Sequence, residues 1–502
     1  MKKIVSVLLV VLLVSLSLVG CAKSADDAGM NMEMAPAENG MYELVGGTDG
    51  GDGEYGKIIE NKFIKTSDEA VSTFSADVDT ASYAYFRKLV NSGYDLEELI
   101  ATAGNSIRTE EMINYFDYSY KAPAEGELFG VNAQIADCPW NDEAVLMVLG
   151  LRTEELQVKA DNNLVFLIDV SGSMSSDDKL PLLKKAFSYL VAQLDEGDVV
   201  SIVTYSGREA VVLEGCAGSK SETIMKAVND LGAKGSTNGE AGLEKAYQIA
   251  EKYYINGGNN RIIMASDGDL NVGISSSDEL KKFVAEKRDG GVYLSVLGFG
   301  TGNFKDSNME AIADNGNGVY YYIDGESEAE KVFGSDLFST LYNVGRDVKL
   351  QLTFDPEMID SYRLVGYENR LLNKEDFADD TKDAGDVGAG HSVTVCYELI
   401  LTDAAKESDS EWMKLAVRYK PVGEDKSLLN EYTIDKSFYT DAPNSDFEFI
   451  CGVIQTSMLL HKSEYISGIG LADIIENVEA LDLSADSEKA EFLALLKKLE
   501  NN

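Results

Sequence analysis

Asn163-Leu164-Val165-Phe166-Leu167-Ile168-Asp169-Val170-Ser171-Gly172-Ser173-Met174 is the stretch on which the architecture turns. Leu164 to Ile168 form a short apolar run between polar residues, the pattern of a parallel strand covered on both faces. The run leads without a spacer into an Asp-x-Ser-x-Ser loop. Carboxylate and hydroxyl oxygens gathered where a strand ends suit a hard divalent cation, and Gly172 is read as the residue that lets the backbone curl so that both hydroxyls face it.

Outward from this loop, Leu180, Leu183, Phe187, Leu190 and Leu194 recur at helical spacing, with Asp178 placed as an N-cap. Strands read at 199–205, 261–265, 292–297 and 318–323 alternate with helical stretches at 240–254, 278–287 and 327–341. That alternation predicts a doubly wound, Rossmann-like α/β domain over residues 161–344, and such sheets carry their sites at the carboxyl ends of the strands. Two further loops fall on that rim. Gly235-Ser236-Thr237-Asn238 precedes the helix starting near Glu240, and Ser266-Asp267-Gly268 directly follows the strand from Ile262 to Ala265. Gly298-x-Gly300-x-Gly302 lacks the third glycine position of a dinucleotide loop and is read as a turn.

On the amino-terminal side, Val71 to Tyr83 alternates Phe74, Ala76 and Val78 with Ser75, Asp77 and Asp79. This predicts a half-buried strand with both carboxylates on a solvated face, in preference to a second metal site. Ile107 to Phe116 reads as a helix and Ala144 to Leu151 as a strand, within an extension over residues 57–160. On the far side, Val348, Leu350, Leu352 and Phe354 alternate, as do Val393, Val395, Tyr397 and Leu399, and then Leu415, Val417 and Tyr419. These are antiparallel strands of a β-rich region over 345–440. Because strands lie on both sides of it, the α/β domain is expected to be inserted into a β-sandwich assembled from both flanks. Residues 441–502 read as helical, with Phe447, Ile450, Cys451, Ile454 and Met458 on one face and Phe492, Leu495, Leu496 and Leu499 on another.

The whole chain of 502 residues has room for roughly three domains. Its 44 Lys and Arg stand against 86 Asp and Glu, a formal charge of −42, while 44 % hydrophobic residues make it too apolar for disorder throughout. Nucleic acid is excluded as a partner, since phosphate neutralisation needs a basic face. Only two histidines, His391 and His461, are present, and neither falls in the α/β domain. Multi-histidine zinc chemistry is excluded and a histidine-based triad has little to draw on.

Lys2 and Lys3, the apolar run from Ile4 to Leu18, and Leu18-Val19-Gly20-Cys21 read as an export signal over residues 1–20. The run is short for a spanning helix. The Leu-Val-Gly-Cys ending resembles the bacterial lipobox, which implies that Cys21 is acylated and becomes the new N-terminus; several acyl chains give stable membrane attachment. Residues 21–56, rich in Gly, Asp, Asn and Met, read as a flexible tether, and Met30, Met32 and Met34 as part of it rather than as a soft-metal site. Cys138, Cys216, Cys396 and Cys451 are widely spaced and open to three pairings or to free buried thiols, so no disulfide framework is implied.

Asp169, Ser171, Ser173, Thr237 and Asp267 match the metal-ion-dependent adhesion site of von Willebrand factor type A domains. STFSADVDTASY, EEMINYF, CPWN, GGNNRIIMASDGDLNVG, LSVLGFGTGN and YRLVGYENRLL resemble the bacterial lipoproteins that carry this domain between their own amino- and carboxy-terminal extensions. The resemblance covers nearly all of the chain from about Val71 onward. It implies that Ser171, Ser173 and Thr237 ligate Mg²⁺, or alternatively Mn²⁺ or Ca²⁺, with Asp169 and Asp267 acting directly or through water. Neutral hydroxyls leave such an ion with residual positive charge and an open position for a carboxylate.

Three functions follow as expectations, the first preferred. The chain is a lipid-anchored, extracytoplasmic, non-enzymatic binding module, at the cell surface or in the periplasm, that captures a protein or peptide carboxylate through the metal. The second is an envelope scaffold or assembly factor acting through the flanking regions. The third, a metal-dependent hydrolase, needs a general base within reach, for which Glu240 or Asp269 would serve on proximity alone.

Overall fold

The computed structural model describes residues 58–155, 160–206, 208–235, 240–268, 277–300, 306–336, 341–408 and 410–502. Cys21, the signal and tether segments, Thr237 and Asp269 lie outside the described residues.

Strands β1 (Ile64–Lys65) and β2 (Val71–Ser75) are followed by helices α1 (Ala81–Asn91), α2 (Leu96–Ala103) and α3 (Thr109–Asn114), then by β3 (Phe129–Asp137) and β4 (Val145–Thr153). The α/β unit comprises β5 (Asn162–Asp169), α4 (Leu180–Val191), β6 (Val199–Ser206), β7 (Arg208–Ala217), α5 (Ser221–Asn229), α6 (Glu240–Lys252), β8 (Asn259–Ser266), α7 (Ser277–Arg288), β9 (Tyr293–Phe299), α8 (Asp306–Asn315), β10 (Tyr320–Ile323) and α9 (Glu326–Glu330). Then come β11 (Asn343–Phe354), β12 (Ile359–Val365), β13 (Gly385–Gly388), β14 (Ser392–Leu401), α10 (Asp403–Glu407), β15 (Glu411–Pro421) and β16 (Leu428–Asp435). Helices α11 (Ser445–His461), α12 (Leu471–Glu479) and α13 (Ser487–Asn501) follow.

The central sheet runs β10-β9-β8-β5-β6-β7. All its pairs are parallel except β6 with β7. Every residue of β5 is buried, which explains its unbroken apolar run. Leu164, Phe166 and Ile168 share one core with Leu183, Phe187 and Leu190 of α4. Val165 and Leu167 share another with Leu243 and Tyr247 of α6, and that core continues into Phe86 of α1, Phe116, Ile450 of α11 and Phe492 of α13. Each fully buried side chain of this size contributes roughly 1.5–3 kcal/mol.

Strands from both flanks interleave in two sheets. One runs β1-β12-β14-β4-β3; in the other, β11 lies between β15 on one side and β13 and β2 on the opposite side, with β16 beyond β15. Their inner faces meet in a single core that includes Phe74, Leu149, Leu350, Tyr397 and Trp412. The α/β unit is thus inserted between β4 and β11 of a shared sandwich. Where the chain passes in and out, Tyr342 Oη donates to the Ala160 carbonyl at 2.6 Å, and the Ala389 amide donates to the Tyr342 carbonyl at 2.9 Å.

Two arginines, Arg87 buried and Arg370 partly buried, fasten the unit to the flanks. Arg370, which follows β12, pairs with Asp77 (3.0 Å), Asp79 (3.2 Å), Glu310 (3.1 Å) and Asp314 (2.8 Å), the last two on α8. Arg87 on α1 pairs with Asp324 (2.6 Å), Glu328 (2.6 Å) and Glu491 (3.0 Å), joining α1 to α9 and α13.

Several local expectations are corrected. The strand from Val71 ends at Ser75, because Asp77 turns the chain by accepting the Asp79 amide at 3.0 Å on its own carboxylate. Asp77 and Asp79 are consequently buried, at 4 % and 3 % exposure, rather than solvated. Asp178 is not the cap of α4: it accepts from Ser176 Oγ at 2.7 Å and pairs with Lys88 of α1 at 3.1 Å, while Lys179 holds the N-cap position. The helix expected over 327–341 is α9 followed by a π-helical turn, Lys331–Ser335, that contains Gly334, a poor residue for an α-helix interior. Strand β7 had no sequence reading, since Val211 and Val212 on this edge are exposed and β7 carries register shifts against β6.

Candidate metal centre

Asp169 and Asp267 leave neighbouring strands on the same rim. Ile168 is in register with Ala265 of β8, and Asp169 with Tyr205 of β6. The chain departs from β5 to β6 on one side and reaches β8 on the other, so a crevice opens at the carboxyl end of β5. Both carboxylates are buried, Asp169 at 0 % and Asp267 at 1 % exposure.

The first loop is held by its own backbone. Asp169 Oδ1 accepts the Ser171 amide at 2.7 Å, the Met174 amide donates to the Ser171 carbonyl at 3.1 Å, and the Met174 side chain is fully buried beneath the turn. The Val170 amide donates to the Tyr205 carbonyl at 3.1 Å. The second loop is stitched to the first: the Lys234 amide donates to the Val170 carbonyl at 2.7 Å and the Gly172 amide to the Gly235 carbonyl at 3.1 Å. Ser206 Oγ also donates to the Lys234 carbonyl. Gly172 itself needs no left-handed conformation; the rim glycines with positive φ are Gly235 (92°), Gly268 (88°) and Gly300 (75°).

The hydroxyls of Ser171 and Ser173 lie 2.9 Å apart. Mg²⁺ holds oxygen ligands at about 2.0–2.1 Å, so two ligands on one octahedral edge are about 2.9 Å from each other. The pair is hydrogen-bonded, and its separation also matches adjacent positions on one small hard cation; Asp169 is tied to the same loop through the Ser171 amide, and Asp267 follows the neighbouring strand. Among the described residues no group of three or more His, Cys, Asp or Glu is placed to hold a metal, so any cation on this rim depends on the hydroxyls. The donor set is all oxygen, which favours Mg²⁺, Mn²⁺ or Ca²⁺ over softer ions.

One charged group at the rim had no sequence reading. Lys179 Nζ donates to Asp267 Oδ2 at 2.9 Å, and its side chain is only 11 % exposed. The sequence signal, a lone lysine at the start of an apolar helix, does not separate this role from an ordinary surface charge. The histidines lie elsewhere: His461 Nε2 contacts the Ile107 carbonyl at 2.6 Å, and burial pushes His391 down to about 4. Glu240 opens α6, and its side chain is outside the described set. Cys138, Cys216, Cys396 and Cys451 are free and buried. A polar cavity of about 200 Å³, lined by Asp314, Asn317, Arg370, Asp383 and Asp386, opens by the loop leading into β10, on the opposite rim of the sheet.

Comparison with known proteins agrees with this architecture. Residues 163–335 match the von Willebrand factor type A domain, residues 49–148 match a family described as von Willebrand factor, and residues 339–501 match the C-terminal region of the uncharacterized protein YfbK. Uncharacterized protein YfbK of Escherichia coli K12 is 36 % identical over 478 residues, covering 89 % of this chain and 81 % of the relative. Uncharacterized protein sll0103 of Synechocystis is 29 % identical over 42 % of this chain and 49 % of its own length. Human inter-alpha-trypsin inhibitor heavy chain H3 is 29 % identical over 34 % of this chain and 20 % of its own. Among solved structures, a von Willebrand factor type A protein from Catenulispora acidiphila is 18 % identical and covers 77 % of this chain and 89 % of its own, with a TM-score of 0.42.

Proposed function

Starting from the premise that the chain belongs to the YfbK family of proteins with a von Willebrand factor type A domain, we propose that it is a cation-dependent binding module, held at the outer face of a membrane through an acylated Cys21. The observation that supports this reading is the 2.9 Å hydroxyl pair on the loop that follows β5, on the same rim as the buried carboxylates of Asp169 and Asp267. A divalent cation held there, Mg²⁺ first and Mn²⁺ or Ca²⁺ as alternatives, supplies a coordination position for a carboxylate of a protein or peptide partner. Ser171, Ser173 and Thr237 would serve as neutral donors. The Ser171 amide fixes Asp169, and the Lys234 and Gly172 amides tie the first loop to the segment that leads to Thr237. For a chain of net charge −42, a local dication reverses the sign of the surface an acidic partner meets.

Calorimetric titration of Mg²⁺, Mn²⁺ and Ca²⁺ into the full-length chain, beside Asp267→Ala, tests this. One saturable site in the wild type and none in the variant is expected. Heat of equal size in both would remove the rim from consideration.

A further inference from the structure

We infer that Lys179 is a positioning residue whose ammonium holds Asp267 and keeps divalent-cation affinity at the rim low; the inference rests on the metal reading given above. The contact is direct, Nζ to Oδ2 at 2.9 Å, between a side chain 11 % exposed and a carboxylate 0 % exposed. The lysine stem has a slot built for it. Gly300 lies against it, so closely that a Cβ at that position would sit 2.2 Å from Lys179 Cε, and the Gly300 carbonyl is fixed by Tyr322 Oη at 2.9 Å. The backbone end is equally fixed. The Lys179 amide donates to the Ser176 carbonyl at 3.1 Å, and its carbonyl accepts the Leu183 amide at 2.8 Å in the first turn of α4. Next to it Asp178 is tied to Lys88, a residue of the flanking helix α1.

The consequence is electrostatic. Asp169 and Asp267 offer two negative charges, and the ammonium cancels one of them in a site screened from water. A dication arriving there meets a positive charge already seated on one of its two carboxylates. It has either to share Asp267 or displace the ammonium from the place it holds beside Gly300. Replacing the lysine by a neutral side chain of similar length removes that competition, whereas arginine preserves the charge. A role confined to packing predicts the reverse for the neutral variants, because a loosened loop binds metal less well.

The test is calorimetric titration of Mg²⁺ and Mn²⁺ into the full-length chain as wild type, Lys179→Met, Lys179→Gln and Lys179→Arg, with circular dichroism to confirm folding of each. Both neutral variants are expected to bind about tenfold more tightly than wild type, a usual size for a coupling between two sites, and the arginine variant to stay close to wild type. Either neutral variant suffices if the other does not fold. Tight binding by the neutral variants where the wild type shows none also supports the inference. Equal or weaker binding by the neutral variants, with wild-type binding intact, overturns it and leaves the metal reading standing. No binding by any of the four sinks both.

Discussion

At the tip of the Asp169 loop, Gly172 has room for a methyl group among the described residues, where an added Cβ meets the Gly235 carbonyl at 3.5 Å. Gly300 has neither the room nor the backbone, with φ at 75° and the lysine stem against it. Gly172→Ala is therefore expected to change unfolding stability by less than about 1 kcal/mol, and Gly300→Ala to lower it by about 1–3 kcal/mol, both read by urea denaturation. Glu110 poses a different question. It is fully buried on α3, and burial, followed by the charges of Glu368 and Asp77, pushes its carboxyl up to about 8. A carboxyl whose folded value lies above its unfolded value stabilises fully below about pH 4, and that contribution is lost as pH rises through 8. Thermal melts from pH 5 to 9 should fall in midpoint toward the alkaline end, and Glu110→Gln should flatten the fall. That Asp169 and Asp267 share one rim was legible because Asp169, Ser171 and Ser173 fall in one short loop after a clear strand and Asp267 directly follows another. Glu110 and Lys179 were not, because their roles come from partners such as Glu368 and Asp267, far away in the chain.

Helix α1 acts mainly through one side chain. Arg87 places both guanidinium edges on carboxylates of α9, α13 and the end of β10, and its Nη1 also donates to Tyr115 Oη at 2.9 Å. Removing it leaves Glu328, 2 % exposed, without its guanidinium. Arg87→Ala is expected to cost about 3–5 kcal/mol in chemical denaturation, and Arg87→Lys to recover only part of that, since an ammonium does not span the fork. Elements that bury both faces, such as β5 and β8, could be read from their unbroken apolar runs. Elements defined by electrostatics could not: Asp77 and Asp79 look solvated in an alternating pattern, and their burial is offset by Arg370 arriving from beyond β12 and by the Asp79 and Tyr320 amides. The insertion itself was legible, because strand-like alternation on both sides of an α/β pattern leaves few other ways to bury those faces.

Across the whole molecule, the clasp between Tyr342 and Ala160 joins residues separated by 182 positions. Closing a flexible loop of that length costs about 4–5 kcal/mol of chain entropy. Sandwich strands on the two sides, such as β4 and β14, must meet across that gap. Once the central sheet has formed, however, the gap between its two ends shrinks to the span of a single hydrogen bond, and the remaining search becomes local. The order of assembly follows: β5, β6 and β8 form early, and the β4–β14 ladder closes late. Pulse-labelled hydrogen exchange during refolding of the full chain should show amides of Val165 and Ile263 protected before those of Leu149 and Val395. Simultaneous protection would mean that the sandwich pays the long closure unaided. In a nascent chain the carboxyl-terminal strands emerge last, so the amino-terminal strands wait with open edges until the inserted domain has brought its two ends together.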